Sequence, residues 1–347
     1  MNLFQTKRFI ALVGIISAIL INSCSSYYGP QSDHFDGSHF FNKEEDHSFS
    51  NMIKWLWEME TVEWPEWIED PQQPLPARRV EKGSIRATFI NHATVLIQMD
   101  EVNILTDPIW SLRAGPISWL GVKRVRAAGV KMDDLPNIDY VLISHDHYDH
   151  LDIPSLKEIE KRHHPKYLVG LGVKNILKSN GIDNVVELDW WQKKEIRGHD
   201  ASITFVPAWH NSGRTPLISN KTLWGGFVIS TQSGQVYFAG DTALKGFFHE
   251  IGSRFSRIKL AILPIGSYEK RWFMKNQHMN PDDAVQAQKI LNANQSMGIH
   301  FGTFAEHPEQ TIDLHEKDLS DALVKHSIPA DRFWVLKFGE GRNAVMK

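Results

Sequence analysis

Cysteine is nearly missing from this chain, in which Cys24 is the only one among 347 residues. A disulfide within the chain is therefore excluded, and no redox framework supports the fold. Long apolar runs are missing too, because the apolar stretch at residues 9–21 has thirteen residues where a membrane-spanning helix needs about 20. Positive charge is not in excess, since 38 Lys and Arg face 41 Asp and Glu for a net charge of -3. We therefore expect no nucleic-acid partner through bulk charge.

The chain does contain enough apolar residues for a large core, since 42% of it is hydrophobic, and its length suits one large domain or two ordinary ones. Residues 81–347 show no internal repeat and no linker. Strands are predicted at residues 85–90, 94–99, 102–106, 202–206, 227–230 and 235–239, and helices at residues 153–162 and 281–291. Asp152 and Asn280 are the expected caps of the two helices. The sequence thus predicts one mixed α/β domain.

The first residues have the layout of an export signal. Lys7 and Arg8 precede the apolar stretch, and small residues follow it before Cys24. The segment Ile-Asn-Ser-Cys that ends there resembles a bacterial lipobox, which predicts a signal peptide at residues 1–23 and a lipid on Cys24. This interpretation predicts a membrane-anchored lipoprotein of the bacterial cell envelope, in the outer membrane or facing the periplasm. An uncleaved N-terminal anchor with an incidental cysteine is the alternative.

Residues 24–80 are predicted to connect this membrane attachment to the domain. Residues 25–50 are rich in Ser, Asp, His, Gly and Asn and are typical of a tether with little structure. The tryptophans of the following arm are Trp55, Trp57, Trp64 and Trp67. Indole rings favour the boundary between headgroups and hydrocarbon, so this arm either meets lipid or packs against its own domain.

The strongest chemical signal is a cluster of histidines and carboxylates directly after an apolar run. It reads Ser-His-Asp-His-Tyr-Asp-His-Leu-Asp over residues 144–152. On extended backbone His145 and His147 point to the same side and can share one ion. The adjacent Asp149 and His150 suit a second ion once the chain turns. Neutral imidazole and carboxylate are ligands of zinc and related metals, whereas a His-rich surface loop is the alternative.

Three further candidates, His210, Asp241 and His300, stand at the ends of apolar runs downstream. Because a sheet projects side chains from several strand ends into one cleft, we expect them to meet the first cluster. Each of them alone is more often a surface residue or a satisfied core residue, and Asp241 in Gly-Asp-Thr also fits an Asx turn. The prediction of a metal site therefore depends on their combination.

Together these residues resemble the metallo-β-lactamase superfamily, and a longer set of motifs resembles one family within it, the N-acyl-phosphatidylethanolamine-hydrolysing phospholipases D. The similar segments are residues 105–109, 141–152, 187–191, 238–242, 264–269, 271–275, 277–278 and 334–340. The similarity runs from about residue 85 to the C-terminus. It implies an αββα sandwich of two mixed β-sheets flanked by helices, two zinc ions and a membrane-facing cavity for acyl chains.

Carried over by position, the resemblance implies seven metal ligands. The ligands of one zinc ion are His145, His147 and His210. The ligands of the other are Asp149, His150 and His300. Asp241 bridges both ions. Iron or manganese stays open as the native metal, because related sites with nitrogen and oxygen ligands hold them.

The resemblance also implies substrate contacts. Tyr148 and His278 fall where the family contacts its lipid, and His278 is our candidate for orienting the phosphate or donating a proton. A surface position for His278 and simple packing of the Tyr148 ring are the alternatives. Residues 271–274 combine one cation with three bulky apolar side chains and fit either a lip that meets lipid or a core strand or loop. The sequence departs from the family at residues 211–214, where the family is more basic and aromatic.

The implied activity is hydrolysis of N-acyl-phosphatidylethanolamine to an N-acylethanolamine and phosphatidic acid. Two divalent ions about 3.5–4 Å apart lower the pKa of a bridging water and hold phosphoryl oxygens, so a bridging hydroxide is the expected nucleophile. The expected partners are a phospholipid substrate and a membrane surface, and a homodimer stays open. A metal-dependent hydrolase of another ester, lactone or phosphodiester is the alternative enzyme. A non-catalytic metal-binding envelope lipoprotein is the alternative from another class.

Overall fold

The computed structural model describes residues 27–42, 54–55, 57–58, 62–215, 218–305 and 310–345, so the predicted signal peptide and Cys24 lie outside the described residues. The strands, in chain order, are β1 (Ile85–Asn91), β2 (Thr94–Met99), β3 (Val102–Thr106), β4 (Arg113–Ile117), β5 (Leu120–Lys123), β6 (Tyr140–Ile143), β7 (Lys166–Gly170), β8 (Val185–Leu188), β9 (Lys193–Glu195), β10 (Ser202–Val206), β11 (Gly213–Thr215), β12 (Ile218–Ser219), β13 (Gly226–Thr231), β14 (Gly234–Phe238), β15 (Ile258–Pro264), β16 (Gln295–Ile299), β17 (Phe333–Trp334) and β18 (Gly341–Asn343). The α-helices are α1 (Ile153–His163), α2 (Val173–Lys178), α3 (Phe247–Arg254), α4 (Arg271–Met274), α5 (Pro281–Ile290) and α6 (Leu314–His326).

Two seven-stranded sheets form the body of the protein. The first has the order β18-β1-β2-β3-β6-β7-β8, and the second has the order β17-β16-β15-β14-β13-β10-β9. In each sheet one half is antiparallel and the other is parallel, from β3 to β8 in the first sheet and from β14 to β17 in the second. The predicted α/β sandwich of two mixed sheets is therefore confirmed. All the strands and helices predicted above are present to within one residue at either end.

The strand β6 explains why the apolar run before the metal motif is continuous. Leu142 belongs to the core between the two sheets, whereas Val141 and Ile143 belong to a second core beneath α1 and α2. A strand that is covered on both faces needs apolar side chains at consecutive positions. All four residues of β6 are buried, so the chain enters the metal motif from a firmly held strand.

Both predicted helices begin at their predicted caps. The side chain of Asp152 accepts a hydrogen bond from the backbone N–H of Ser155 at the start of α1. Asn280 and Asp283 form a capping box at the start of α5. These side chains satisfy N–H groups that have no partner within the helix and so fix where each helix starts. Because Asp152 is also the last residue of the metal motif, the motif is held between β6 and α1.

Residues 27–42 differ from the tether expected from their composition, because they pack on the domain. Phe35 and Phe40 are buried, and their ring centroids lie 4.6 Å apart. Asn42 donates a hydrogen bond from Nδ2 to the carbonyl oxygen of His210 at 2.7 Å. The composition is polar, but the aromatic rings supply enough apolar contact to hold the segment. The prediction of little structure is therefore wrong for these residues.

The tryptophan arm packs against the domain at two of its indoles. Trp64 donates from Nε1 to the carbonyl oxygen of Gln310 at 2.8 Å. Trp55 stacks on Phe273 with ring centroids 5.1 Å apart. Trp57, by contrast, is 88% exposed. Across the part of the chain that the structure describes, no helix has both the length and the apolar character to cross a membrane.

The strands β4 and β5 form a hairpin outside both large sheets, which was not predicted. Its strands approach closely at Gly115 and Gly121, where an added Cβ would lie 1.9 Å and 2.0 Å from carbonyl oxygens of the opposite strand. Gly121 also has a φ of +114°, which disfavours any residue with a side chain. Pro116 lies within β4 and weakens the strand signal in the sequence. The hairpin depends on this glycine pair rather than on strand propensity.

Candidate metal centre

The histidines and carboxylates predicted from separate stretches meet at one edge of the sandwich. They follow the C-terminal ends of β6, β10, β14 and β16 in the chain. The predicted ligands that come together are His145, His147, Asp149, His150, His210, Asp241 and His300. Because these strand ends converge, residues far apart in sequence become neighbours.

One group of three histidines is arranged to share an ion. His147 Nδ1 lies 2.8 Å from His145 Nε2 and 3.4 Å from His210 Nε2. The three ring planes stand at 79 to 84° to one another, so the rings converge on their nitrogens and do not stack. This group matches the first predicted ligand set.

A second group lies around one carboxylate oxygen. Asp149 Oδ2 is 2.9 Å from His150 Nε2 and 3.5 Å from His300 Nε2. His92 joins them, because its Nε2 lies 2.8 Å from the same oxygen. The four ligand atoms of this group lie within 4.8 Å of one another. This group contains the second predicted ligand set and one additional histidine.

Asp241 lies between the two groups. Its Oδ2 is 3.1 Å from His300 Nε2, 3.3 Å from His150 Nε2 and 3.8 Å from His210 Nε2. Its Oδ1 is buried and has no hydrogen-bond partner among the described residues. A buried carboxylate oxygen in that position is costly unless a cation completes its coordination. Asp241 therefore has the position of a bridging ligand.

Burial sets the protonation state of most histidines in the cluster. It lowers the pKa of His210 and of His92 to about 3. It also lowers the pKa of His147, and it lowers that of His145 well below 6.5. These imidazoles are neutral near pH 7, so each offers a lone pair to a metal.

The two carboxylates of the cluster stay charged. Burial alone would raise the pKa of Asp149 and of Asp241, but His150 and His300 hold both pKa values well below 3.8. Burial likewise disfavours the charged form of His150, yet Asp149 and Asp241 raise its pKa well above 6.5. Imidazole nitrogens around two anionic carboxylates are the donor set that zinc and related divalent metals take. The described residues therefore fit a binuclear metal site.

A buried carboxylate behind the cluster orients one histidine of each group. Asp107 Oδ2 lies 2.8 Å from His150 Nδ1 and accepts a hydrogen bond from Ser144 Oγ at 2.6 Å. Ser144 Oγ is in turn 2.9 Å from His145 Nδ1. With Nδ1 engaged in both rings, Nε2 of each histidine is directed toward the metal positions. Asp107 lies in a segment that carries the family resemblance but was not predicted as a site residue.

His92 was also not among the predicted site residues. It follows β1, adopts a φ of 45°, and accepts a hydrogen bond at its carbonyl oxygen from the backbone N–H of His300 at 2.8 Å. Its position directly after a predicted strand is the criterion that found His210 and His300. His92 was nevertheless missed, because no other candidate ligand lies near it in the sequence. Its partner Asp149 is 57 positions away.

Tyr148 lies in the cavity beside the cluster and is fixed by an arginine. Burial raises the pKa of its phenol. The guanidinium carbon of Arg214 lies 4.0 Å from the ring centroid. Arg214 also donates hydrogen bonds at 2.9 Å to the carbonyl oxygens of Asp146 and Leu151. Arg214 therefore braces the metal loop and the tyrosine ring together.

His278 is buried beside the cluster. Its Nδ1 lies 3.8 Å from Asp241 Oδ2, and its ring centroid lies 5.2 Å from that of His210. Arg271 Nη1 donates a hydrogen bond to the carbonyl oxygen of His278 at 2.8 Å. The surface alternative for His278 is therefore wrong.

Residues 271–274 form the short helix α4 and not a strand or loop. Arg271 pairs with the carboxylate of Asp283 as well as with the His278 carbonyl, so its charge is used within the fold. Phe273 and Met274 line the cavity, whereas Trp272 is partly exposed. Phe273 and Met274 therefore belong to the cavity wall, whereas Arg271 does not.

A cavity of about 470 Å³ opens over the cluster. Its polar lining includes His147, Tyr148, Asp149, His210, Asp241 and His278. Its apolar lining consists of Trp55, Ala114, Val122, Phe273 and Met274. The metal cluster thus forms the floor of a cavity that has both polar and apolar walls.

A mixed sandwich with a binuclear cluster of buried histidines and aspartates at its edge defines a metal-dependent hydrolase. The sequence agrees, because residues 102–301 match the beta-lactamase superfamily domain. This chain belongs to the beta-lactamase superfamily.

Relatives within the superfamily are similar over most of the domain. The chain is 40% identical over 232 residues to N-acyl-phosphatidylethanolamine-hydrolyzing phospholipase D 1 of Caenorhabditis elegans. The aligned region covers 64% of this chain and 65% of that protein. It is 37% identical over 241 residues to the mitochondrial N-acyl-phosphatidylethanolamine-hydrolyzing phospholipase D of Saccharomyces cerevisiae. That alignment covers 68% of this chain and 51% of the yeast protein. The chain therefore spans less than two thirds of the length of either relative. The resemblance predicted from the motifs is confirmed.

Solved structures agree on the fold. The metallo hydrolase Igni18 of Ignicoccus hospitalis superposes with a TM-score of 0.59 at 22% sequence identity, covering 76% of this chain and 100% of that chain. At this identity the similarity concerns the fold alone.

Proposed function

We propose that this protein is a dizinc phosphodiesterase that hydrolyses N-acyl-phosphatidylethanolamine to an N-acylethanolamine and phosphatidic acid. The observation that carries the proposal is the cavity over the metal cluster, which combines a polar floor with an apolar wall. A substrate that joins a phosphodiester to long acyl chains matches both parts. The similarity to two phospholipases D named for this lipid supports the same substrate.

The apolar wall suits an acyl chain. The rings of Trp55 and Phe273 are nearly parallel, with 10° between their planes, and Met274 lies in the same wall. Ala114 and Val122 contribute from the β4–β5 hairpin. Each methylene buried against such a surface contributes about 0.8 kcal/mol. A long-chain lipid would therefore gain affinity here that a small polar ester would not.

The polar side of the cavity suits the phosphodiester. The cluster would hold two zinc ions, which when bound would supply an activated water and offset negative charge on the phosphoryl group. Tyr148 lies next to His147, and its raised pKa keeps a proton on the phenol oxygen to donate to a phosphoryl oxygen. His278, beside Asp241, orients the phosphate or protonates the leaving alkoxide.

Zinc is the proposed metal because imidazole dominates the ligand set. Five of the seven predicted ligands are histidines, and manganese favours carboxylate and water oxygens more strongly. Elemental analysis of natively produced protein tests this, with two equivalents of zinc expected per chain. Two equivalents of iron or manganese would overturn the choice of metal.

We further propose a lipid on Cys24 and a place in the bacterial cell envelope. Tyr27 packs against the core of the domain, and the three residues from Cys24 to Tyr27 can span at most about 10 Å. A lipid on Cys24 would therefore hold the domain close to a bilayer. Mass spectrometry of the N-terminal peptide from membrane fractions should find a diacylglyceryl group on Cys24. An unmodified peptide that begins before residue 24 would contradict it.

The test of the activity is product analysis after incubation with N-acyl-phosphatidylethanolamine in mixed bacterial phospholipids. Mass spectrometry should detect an N-acylethanolamine and phosphatidic acid in equal amounts. In ¹⁸O-labelled water the label should enter phosphatidic acid, because attack at phosphorus adds the water oxygen to phosphate. The Asp241→Ala variant, which lacks the bridging carboxylate, serves as the control for contaminating lipases.

Other products would favour the alternatives. Release of free fatty acid alone would indicate attack on a carboxylic ester, as would hydrolysis of lactones without phospholipid turnover. Protein that holds two zinc ions but hydrolyses no ester or phosphodiester would favour a non-catalytic metal-binding lipoprotein. Each of these results would overturn the proposed phosphodiesterase.

A further inference from the structure

A second cavity of about 470 Å³ lies against α6 and shares no lining residue with the cavity over the metal cluster. Its walls come from residues 70–71, from α6 and from residues 333–338, among others. Its apolar lining includes Phe301, Leu319, Leu323, Phe333, Leu336 and Phe338. A cavity of this size with mostly apolar walls and a few polar groups has the character of a small-molecule site.

His315 is a buried residue of α6 that lines this second cavity. It is 3% exposed, and neither Nδ1 nor Nε2 has a hydrogen-bond partner among the described residues. Its ring stacks on Phe301, with centroids 4.3 Å apart. Burial lowers its pKa to about 4, although the Asp313 carboxylate and the Ile312 carbonyl oppose this shift. The imidazole is therefore neutral near pH 7 and offers a ligand one N–H donor and one acceptor.

Arg126 adds another unused donor to the same cavity. Its Nη1 donates to Asp70 Oδ1 at 2.9 Å, and its guanidinium carbon lies 4.4 Å from the ring centroid of Phe338. Its Nε is buried and has no hydrogen-bond partner in the described part of the chain. Buried polar atoms without partners are unfavourable, so a ligand that satisfies these three nitrogens gains affinity from each of them.

The charges of the second cavity favour an uncharged headgroup. Asp70 and Arg126 already pair with each other, so an anion would meet the carboxylate and a cation would meet the guanidinium. The other charged residues of the lining are the exposed Asp313, Glu316 and Lys337, which are not basic in sum. The headgroup must accept a hydrogen bond from the arginine, and it must both donate to and accept from the imidazole. Amide and alcohol groups do this without a charge.

We propose that the second cavity binds a single-chain lipid with an uncharged amide or alcohol headgroup, which His315 and Arg126 hold by hydrogen bonds. The apolar side chains of α6 and of residues 333–338 cover the acyl chain. The site does not depend on the proposed function, because its chemistry follows from its own lining. N-acylethanolamines, the products of the proposed reaction, belong to this class of lipid, and so do monoacylglycerols. Phe301 directly follows the predicted metal ligand His300, so the lipid would contact a residue next to the metal centre.

Photo-crosslinking locates the bound lipid. The full chain, supplied with zinc, is irradiated with an N-acylethanolamine that carries a diazirine in its acyl chain, and the labelled peptides are mapped by mass spectrometry. We expect label on residues 315–323 or 333–338 that excess N-decanoylethanolamine removes. Label confined to the metal cavity, at Trp55 or Phe273 for example, would overturn the proposal. Label on α6 that excess ligand does not remove would overturn it as well.

Competition against the label on α6 separates the headgroup classes. N-decanoylethanolamine and 1-decanoylglycerol are uncharged, whereas decanoate has the same chain and a carboxylate. At least one of the neutral lipids should remove the label at a concentration about tenfold or more below that of decanoate. Preference for N-decanoylethanolamine would identify the reaction product as the ligand, and equal competition by 1-decanoylglycerol would identify neutral lipids in general. Decanoate that competes as well as both neutral lipids would overturn the proposed chemistry.

The variant His315→Phe tests the headgroup contact. The new ring keeps the stack on Phe301 but lacks both nitrogens, so the probe concentration for half-maximal label on α6 should rise about tenfold. The melting temperature should not fall, because two unsatisfied buried nitrogens are removed. His326→Phe is the matched control, since His326 lies on the same helix and pairs with Asp282. Half-maximal label at the wild-type concentration in folded His315→Phe would overturn the proposal.

The lipid site and the proposed function can fail separately. Competable label on α6 in a protein that does not cleave N-acyl-phosphatidylethanolamine would refute the proposed function and support the second site. Cleavage of that lipid by a protein without label on residues 315–323 or 333–338 would refute the second site and leave the proposed function intact.

Discussion

Asp107 Oδ2 lies 2.8 Å from His150 Nδ1, and both side chains are completely buried. The same carboxylate accepts hydrogen bonds from the backbone N–H and the hydroxyl of Ser144, the residue that precedes the metal motif. A carboxylate behind a ligand histidine fixes the ring orientation and raises its basicity. Asp107 therefore links the end of β6 to the ligands of both metal positions.

Replacing Asp107 by Asn tests this link. The amide keeps the shape but supplies one acceptor oxygen in place of two, so His150 or Ser144 loses a partner. Metal affinity should fall by about 10- to 100-fold, as measured by titration against a competing chelator. Asp282→Asn is the control, because Asp282 pairs with Lys325 and His326 outside the metal cluster. Wild-type affinity at both metal positions in Asp107→Asn would refute the role.

The contiguous part of the metal site was predictable because its chemistry is local. The residues from His145 to His150 lie within one turn, and strand periodicity alone indicates which of them can share an ion. His92 and Asp107 were missed for the opposite reason, since each acts through a partner brought near only by the fold. Sequence spacing carries no information about such contacts until the sheet order is known.

Two elements of the fold escaped prediction for other physical reasons. The β4–β5 hairpin depends on the close approach of Gly115 and Gly121, residues that usually argue against a strand. The segment of residues 27–42 has a polar composition, but a few aromatic contacts hold it on the domain. The long strands and the capped helices were predictable because two independent signals in the sequence agree. The spacing of their apolar residues and the turn or cap residues at their ends indicate the same elements.

Because Arg214 holds Tyr148 and the metal loop in place, we predict that replacing it by Lys lowers activity and leaves the metal bound. In Arg214→Lys the planar stack on Tyr148 and the paired contacts with the loop carbonyls disappear. The contacts of Arg214 with the ring and the loop contribute about 1–1.5 kcal/mol to holding Tyr148 in place. If that free energy is lost in the transition state, kcat/KM falls about tenfold. Arg254→Lys is a matched control, because Arg254 also stacks at 4.0 Å, on Trp191. Two bound metal ions together with unchanged kcat/KM in Arg214→Lys would contradict the prediction.

His278 can be separated from the metal ligands by comparing metal content with turnover. If His278 protonates the leaving group or orients the phosphate, His278→Gln should lower kcat by about 10²- to 10⁴-fold. Both metal ions should stay bound, as checked by elemental analysis. His326→Gln is the control, because His326 pairs with Asp282 instead of with the cluster. Loss of one metal equivalent in His278→Gln would show that His278 is a metal ligand. The distance of 3.8 Å between His278 Nδ1 and Asp241 Oδ2 is compatible with that role.

Metal removal should destabilise the fold, because the buried carboxylates of Asp149 and Asp241 would lose the cations that the cluster is built to hold. Ions that bind only the folded state stabilise it by about 2.7 kcal/mol at a hundred times their Kd. The melting temperature should therefore fall with a strong chelator and recover with added zinc, as followed by differential scanning fluorimetry. An identical melting temperature in both conditions would be inconsistent with a metal site at this position.

From the ion pairs of His34 we predict that the packing of residues 27–42 on the domain depends on pH. Its Nε2 lies 2.8 Å from Asp189 Oδ1 and its Nδ1 lies 2.7 Å from Asp33 Oδ1, while the ring stacks on Trp190 at 4.4 Å. Burial opposes its charge, but hydrogen bonds to Asp189 and Asp33 raise its pKa above the unfolded value of 6.5. The protonated form is therefore bound more tightly in the docked segment than in the free one.

A raised pKa in the folded state gives stability that is complete below pH 6.5 and is lost as the pH rises through the folded pKa. Hydrogen exchange of residues 27–42 should accordingly speed up, relative to the rest of the domain, as the pH rises above 6.5. His34→Gln should abolish this excess because the amide does not titrate. His39→Gln is the control, since His39 is exposed in the same segment. Exchange that stays proportional to that of the domain across this range in the wild type would mean that the ion pairs of His34 do not hold the segment.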